Sequence, residues 1–134
     1  MVDNLVNSLC AFLYLKMLAI TMIILSSIVV YAVEVDRTTG TVGSYSCNGT
    51  LWTITSKSMG ATTYVSTSSS NVSSNRTKVK VRSGGYDPVE EENGPYASNE
   101  VDVTATIGGN IGSATGTHYL TLKTGDSWSG DTYY

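Results

Sequence analysis

The chain has 134 residues, of which 14% are charged; eight Lys and Arg stand against eleven Asp and Glu, so the formal net charge at pH 7 is -3. This acidic balance excludes nucleic acid as the main partner, because phosphate binding requires clustered Lys and Arg. The mean hydropathy of +0.01 averages an apolar N-terminal segment with a polar remainder.

The N-terminal segment has the pattern of a secretory signal. An uncharged run, 17–33, follows Lys16 and contains a small residue, Ala32, at the position before a cleavage site. We therefore predict that residues 1–32 are a cleaved signal peptide and that residues 33–134 form a secreted β domain. The protein is expected to be extracellular, with contact to the membrane only through this segment.

Two alternatives remain for the same segment. The whole apolar stretch 9–33 is long enough to span a bilayer as a helix, which would make it an uncleaved anchor and the protein a membrane-anchored one at the cell surface. Translation starting at Met17 instead of Met1 would shorten the segment before its apolar core.

Short runs with period-two alternation follow the leader, and nearly a third of this part is Ser or Thr. The Asn48-Gly49 pair between the first two runs is a strong hairpin-turn signal. The sequence therefore predicts an all-β fold, a small antiparallel β-sandwich or barrel of about six or seven short strands. The predicted strands are 41–47, 51–55, 61–67, 76–82, 99–107 and 118–123.

Charge alternation suggests which strands pair. Lys78, Lys80 and Arg82 occupy one face of the run 76–82, and Glu100 and Asp102 occupy one face of the run 99–107. Opposite charges across neighbouring strands stabilise a sheet, so we expect these two runs to pair. The segments between the runs, 66–75, 83–98 and 108–116, are predicted to be a polar linker, a long connection and a Gly-rich turn.

Large aliphatic residues are scarce after the leader, which contains the single Phe. Seven Tyr and two Trp are therefore expected to supply much of the bulk of the core. Four aromatic residues are also candidates for ligand binding: Trp52, Trp128, Tyr133 and Tyr134. Exposed aromatic rings beside hydroxyl groups suit carbohydrate, whereas the alternative is that these rings pack across a thin core or cover a sheet edge.

The residues of nucleophilic catalysis and of metal binding are poorly represented. Gly125-Asp126-Ser127 resembles the nucleophile segment of some serine hydrolases, but His118 is the only histidine and lies just nine residues before Ser127. A turn is the simpler interpretation. One His and one Cys after the leader cannot complete a zinc site. We expect no enzyme activity, no cofactor and no resident metal.

An acidic group in the segment 83–98 is a weak calcium candidate. Asp87, Glu90, Glu91 and Glu92 concentrate carboxylate oxygens, the ligands that calcium prefers. Adjacent Glu residues point in different directions, however, and a solvated acidic loop is the favoured interpretation.

Cys47 and three asparagine sequons complete the candidate sites. Cys47 is the only cysteine after the leader, so it is expected to be buried, with an intermolecular disulfide as the alternative. Asn48, Asn71 and Asn75 begin N-x-Ser/Thr sequons, which matter only in a glycosylating host.

The sequence thus predicts a secreted, non-enzymatic structural or interaction protein that contacts an extracellular or cell-surface partner, with self-association through sheet edges or Cys47 as one way to act. A carbohydrate- or cell-wall-binding module that recognises polysaccharide is the first alternative. A secreted bacteriocin-like effector is the second.

Overall fold

The computed structural model describes residues 32–134, and the predictions for the apolar leader lie outside the described residues. Eight strands make up most of this part of the chain, and a short 3-10 helix, Ser69–Asn71, precedes the fourth. The strands are β1 (Val33–Val42), β2 (Tyr45–Thr55), β3 (Ser58–Val65), β4 (Val72–Arg82), β5 (Val89–Tyr96), β6 (Glu100–Thr106), β7 (Ser113–Leu122) and β8 (Ser127–Tyr133).

The strands form two antiparallel four-stranded sheets. The first sheet has the order β1-β2-β3-β6, and the second has the order β5-β4-β7-β8. Alternate residues of the strands are buried, because successive side chains of a strand point to opposite faces and one face of each sheet is turned to the other sheet. The all-β prediction is confirmed, with eight strands instead of six or seven.

Two apolar clusters fill the space between the sheets. Both combine residues of the first and the second sheet. The larger contains Leu51, Met59, Ala61, Val79, Val81, Val103, Ala105, Ile107 and Ala114. The smaller contains Val42, Cys47, Val65, Val72, Leu120 and Leu122. No Tyr or Trp is among the buried hydrophobic residues of the described chain. The prediction that Tyr and Trp supply much of the core is therefore wrong: aliphatic side chains fill it, and only Tyr45 and Trp128 pack against the smaller cluster, partly buried.

A layer of polar side chains separates the two clusters. Its members are fully buried: Thr63, Asn75, Thr77, His118 and Thr132. Three strands, β3, β4 and β7, pass from one cluster to the other through this layer, as β3 does from Ala61 through Thr63 to Val65. Buried polar groups are tolerated where they bond one another, and the hydroxyl of Thr77 lies 2.7 Å from that of Thr63.

The predicted hairpin turn at Asn48-Gly49 is wrong. Both residues lie in the middle of β2, and the β1–β2 turn is Gly43-Ser44, where Gly43 has the positive φ of 57° that a two-residue hairpin loop needs. Gly49 serves packing instead: a Cβ there would overlap the imidazole ring of His118. A glycine required by a distant ring has the same sequence signature as one required by a turn.

The predicted pairing of the two charged runs is also wrong. β4 pairs with β5 and β7, whereas β6 pairs with β3 in the other sheet. The partner strand β5 lies inside the segment 83–98, which we predicted to be a connection. Its residues Glu90 and Glu92 take the place expected for Glu100 and Asp102 opposite Lys78 and Lys80.

Two predicted loops are partly strand. Residues 72–75 of the predicted linker begin β4, and residues 113–116 of the predicted Gly-rich turn begin β7. These segments are rich in Ser, Thr and Gly. Because such residues occur in strands as well as in loops, their local sequence does not distinguish the two.

Candidate functional site

The four aromatic residues predicted to bind ligand do not share one surface. Trp52 lies on the outer face of the first sheet, where its indole N–H donates a hydrogen bond to Thr62 Oγ1 at 3.0 Å. Trp128 points between the sheets and is partly buried against the smaller apolar cluster. Tyr133 and Tyr134 are exposed at the end of β8. The sequence could not assign these four residues to different surfaces, because the sheet face on which a side chain lies depends on strand register.

Trp128 is held by packing. Its indole ring covers Gly40 of β1, where a Cβ would overlap the ring, and its centre lies 6.5 Å from that of His118. The ring therefore bridges the β1 and β8 sides of the sandwich, as the packing alternative expected. Its exposed part contributes to the wall of a surface depression.

That depression, of about 240 Å³, opens between β7 and β8. Its lining residues are Tyr119, Leu120, Thr121, Ser127, Trp128 and Ser129. The Tyr119 ring is 38% exposed, and the Arg76 guanidinium stacks over it at 4.4 Å from the ring centre, which holds the ring in place. The hydroxyls of Thr121 and Ser127 lie 3.3 Å apart. Tyr119 was not among the predicted ligand-binding residues, although the alternation of the predicted strand 118–123 already places it on the face opposite Leu120 and Leu122.

Hydroxyl side chains extend from this depression along the sheet. In the register of β7 with β8, Tyr119 is opposite Ser129, and Thr115 is opposite Tyr133. The two tyrosines are therefore about 13 Å apart along the strands, at a rise of about 3.3 Å per residue. We call this outward surface the tyrosine face; it comprises Thr115, Thr117, Tyr119, Thr121, Ser127, Ser129, Asp131 and Tyr133.

A ladder of ion pairs borders the tyrosine face on β4 and β5. Lys78 Nζ lies 3.1 Å from a Glu90 carboxylate oxygen and 3.5 Å from one of Glu92. Lys80 lies 3.2 Å from Glu90, and Arg76 lies 3.6 Å from Glu92. The hydrogen bond from Lys78 lowers the pKa of the Glu90 carboxyl, and Lys80 adds to this shift. The same bond raises the pKa of Lys78.

This ladder bears on the calcium candidate. Glu90 and Glu92 point outward toward β4 cations, whereas strand alternation turns Glu91 to the opposite face and Asp87 lies in the preceding loop. The four carboxylates therefore do not converge. Among residues 32–134, no group of three or more His, Cys, Asp or Glu side chains is placed to hold a metal ion.

His118 and Ser127 lie on opposite faces of the second sheet. The imidazole is fully buried, with Nδ1 at 2.9 Å from Thr63 Oγ1 and Nε2 at 3.1 Å from Thr132 Oγ1. Burial lowers the pKa of His118 to about 4, and Asp131 opposes this shift. The Ser127 hydroxyl faces outward, next to Thr121. The arrangement therefore gives Ser127 no base. The predicted turn is confirmed only before Ser127, because Ser127 itself begins β8.

Cys47 is a buried free thiol of the smaller apolar cluster. Burial raises its pKa, which disfavours the reactive thiolate. Its expected burial is confirmed, and an intermolecular disulfide would require the strand to move.

The three sequons differ in exposure. Asn71 is exposed, and its amide donates to Thr67 Oγ1 at 2.8 Å. Asn48 is half-buried on β2, whereas Asn75 is fully buried and donates to the carbonyls of Thr63 and Ser98. A glycan on Asn75 is incompatible with the folded sandwich.

The part of the chain that the structure describes contains no helix long and apolar enough to cross a membrane. Comparison of the sequence with protein-family models, with curated proteins and with solved structures gave no match.

Proposed function

We propose that residues 33–134 form an extracellular or cell-surface interaction module that has no catalytic role and binds its partner through the tyrosine face. The observation that carries this proposal is the alignment of two exposed tyrosines, Tyr119 and Tyr133, with rows of Ser and Thr hydroxyls on one broad sheet face. A flat face that combines rigid aromatic rings with hydroxyls suits recognition by contact.

The chemistry of this face favours a hydroxylated polymer, and a carbohydrate is the partner class that we favour. An exposed Tyr ring offers an apolar surface on which the C–H face of a sugar ring can stack, while the neighbouring hydroxyls donate and accept hydrogen bonds. Next to Tyr119, the depression supplies three such hydroxyls, those of Thr121, Ser127 and Ser129. The ion-pair ladder beside it holds three cations and two carboxylates, so it borders the face with a small positive charge.

Affinity electrophoresis of the exported protein in gels containing different polysaccharides tests the proposal. We expect retardation that Tyr119→Ala weakens about tenfold, a loss of about 1.4 kcal/mol of binding free energy. Tyr96→Ala is the matched control, because Tyr96 is an exposed tyrosine on β5 outside the tyrosine face. It should leave the retardation unchanged.

Two outcomes would contradict the proposal at different levels. Equal retardation of the wild type and Tyr119→Ala would exclude the tyrosine face as the binding surface. Absence of retardation on a broad panel of neutral and acidic polysaccharides would exclude carbohydrate as the partner. The thermal unfolding midpoint of Tyr96→Ala should match that of the wild type, whereas Tyr119→Ala should lower it by a few degrees, about 1 kcal/mol, because the contact with Arg76 is lost; a cooperative transition in both variants shows that they remain folded.

A further inference from the structure

One cation of β4 has no carboxylate partner. Arg76, Lys78 and Lys80 each form an ion pair with Glu90 or Glu92, three cations on two carboxylates. The next outward residue, Arg82, ends the strand beyond this ladder, and no carboxylate of the described residues lies within ion-pair distance of it. The row of cations therefore ends in a free guanidinium.

Arg82 borders a second surface depression, of about 280 Å³, at this end of the second sheet. The lining residues are Arg82, Ser83, Gly84, Gly112 and Ser113. The main chain fixes its shape, because the Gly112 N–H donates to the Arg82 carbonyl at 2.9 Å and Ser113 is the register partner of Arg82. Two serines, Ser83 and Ser113, thus line the depression together with Arg82.

The backbone of this depression borders open space. A Cβ added at Gly84 would meet no atom within 4 Å, and one at Gly112 would come no closer than 3.9 Å to any neighbour, the Arg82 carbonyl oxygen. Both positions therefore leave room for a ligand and also tolerate an added methyl group. The depression combines a free cation, two lining serines and open space beside the backbone.

The depression continues the tyrosine face. Ser113 is the outward residue of β7 next to Thr115, and Thr115 is opposite Tyr133. The step from Thr115 to Ser113 is about 7 Å along the strand. A polymer lying along β7 from the Tyr119 depression would pass Tyr133 and reach Arg82 at the far end.

We propose that the Arg82 depression is an anion subsite and that the partner of the tyrosine face is an acidic polysaccharide, whose carboxylate or sulfate group binds at Arg82. A guanidinium binds such groups through two parallel N–H donors, and the hydroxyl of Ser113, the register partner of Arg82, is an additional donor. This inference rests on the proposed function, since it names the ligand class of the same face.

The test compares acidic and neutral polysaccharides on the full exported protein. Arg82→Gln should weaken binding of a polyuronate or of a sulfated glycan about tenfold and leave binding of a neutral polysaccharide unchanged. Arg37→Gln is the matched control, because it removes a guanidinium from β1, in the opposite sheet, where Arg37 pairs with Glu34. It should change neither. A larger loss of binding for the polyuronate would identify a carboxylate as the bound group, and a larger loss for the sulfated glycan would identify a sulfate.

A second pair of variants tests the depression without touching Arg82. Gly84→Asp places a carboxylate in it and should abolish the preference for acidic polymers, whereas Gly84→Ala should keep it. Both fit the open space at this position. If Arg82→Gln behaves like Arg37→Gln, or weakens neutral and acidic binding alike, the anion subsite is wrong even though Tyr119→Ala still weakens binding. If Tyr119→Ala has no effect, the proposed function itself fails.

Discussion

At the scale of single residues, His118 is where this core departs most from an ordinary apolar interior. Gly49 and Gly116 leave the room that its ring occupies, since a Cβ at either would come too close to the imidazole or to its partner Thr132. Both ring nitrogens have hydroxyl partners, Thr63 and Thr132. The ring is therefore satisfied in its neutral form, with one nitrogen donating and the other accepting.

Hydrogen bonding alone would also accommodate a protonated ring. A protonated ring would donate to Thr63 and to Thr132, so each hydroxyl would need another acceptor for its own hydrogen. The Thr63 hydroxyl can donate to Thr77 Oγ1, because Thr77 can donate in turn to the Val101 carbonyl oxygen at 2.8 Å. The Thr132 hydroxyl can donate to the Gly116 carbonyl oxygen at 3.4 Å. What the site lacks is a buried counter-ion, because Asp131 lies on the outer face. Desolvation therefore dominates and lowers the pKa.

We predict that acid destabilises the fold through this residue. The pKa of His118 is about 4 in the folded state, below the ordinary value of 6.5. Between these values the unfolded chain binds a proton that the folded chain does not. The free energy of unfolding should therefore fall as the pH drops from 6.5 to 4, by up to about 3 kcal/mol. Urea unfolding at several pH values measures this loss.

Two measurements isolate the histidine from the carboxylates. The His118→Gln variant should lose this part of the pH dependence and keep the part due to Asp and Glu. NMR titration is more direct, because the chain has one histidine and hence one set of imidazole signals. A midpoint near 6.5 in the folded protein would contradict the prediction.

At the scale of elements, the edge strands of the two sheets carry unpaired backbone groups, through which a strand of another molecule could pair with them. β1 and β8 are the edge strands on one side of the sandwich. The register of β1 shifts between Glu34 and Asp36, and the Asp36 carboxylate accepts a hydrogen bond from the Tyr133 N–H at 2.8 Å. This bond links the two sheets and occupies an N–H that another strand would otherwise use.

We predict that Asp36→Ala opens this edge locally. Amide hydrogen exchange at Tyr133 should accelerate about tenfold, since a hydrogen bond to a charged acceptor stabilises by about 1.5–3 kcal/mol. The Tyr134 N–H, which donates to the Ala114 carbonyl at 2.9 Å, should keep its protection. Asp36→Asn retains an acceptor oxygen and is the control. Equal acceleration at both amides would indicate fraying of the whole strand and would refute the role of Asp36.

Sequence patterns identified the strands that have one buried and one solvent-exposed face. β4, β6 and the second half of β7 alternate strictly, and these were predicted. β5 was missed because it is an edge strand whose carboxylates face solvent or β4 cations, so no apolar period marks it. β2 was divided in two because Asn48-Gly49 was interpreted as a hairpin turn, although Cys47, Gly49 and Leu51 continue the buried alternation through it.

At the scale of the whole molecule, the predicted cleavage site falls at the boundary of the sandwich. Cleavage after Ala32 would leave all eight strands intact, since β1 begins at Val33. We therefore predict that the exported protein begins at Val33, which N-terminal sequencing of the secreted material would measure. Retention of residues 1–32 in a membrane fraction would instead support the anchored alternative.

The sequence by itself determined the all-β class, the faces of the alternating strands and the burial of Cys47. Each of these follows from local periodicity and from the composition of a polar chain with few large aliphatic residues. Tertiary structure alone decided which strands pair, that Glu90 and Glu92 rather than Glu100 and Asp102 meet the β4 cations, and that Tyr119, Tyr133 and Arg82 share one surface. The physical reason is that cross-strand partners and facing sheets join residues far apart in the chain, and single-strand alternation carries no information about which partner is chosen.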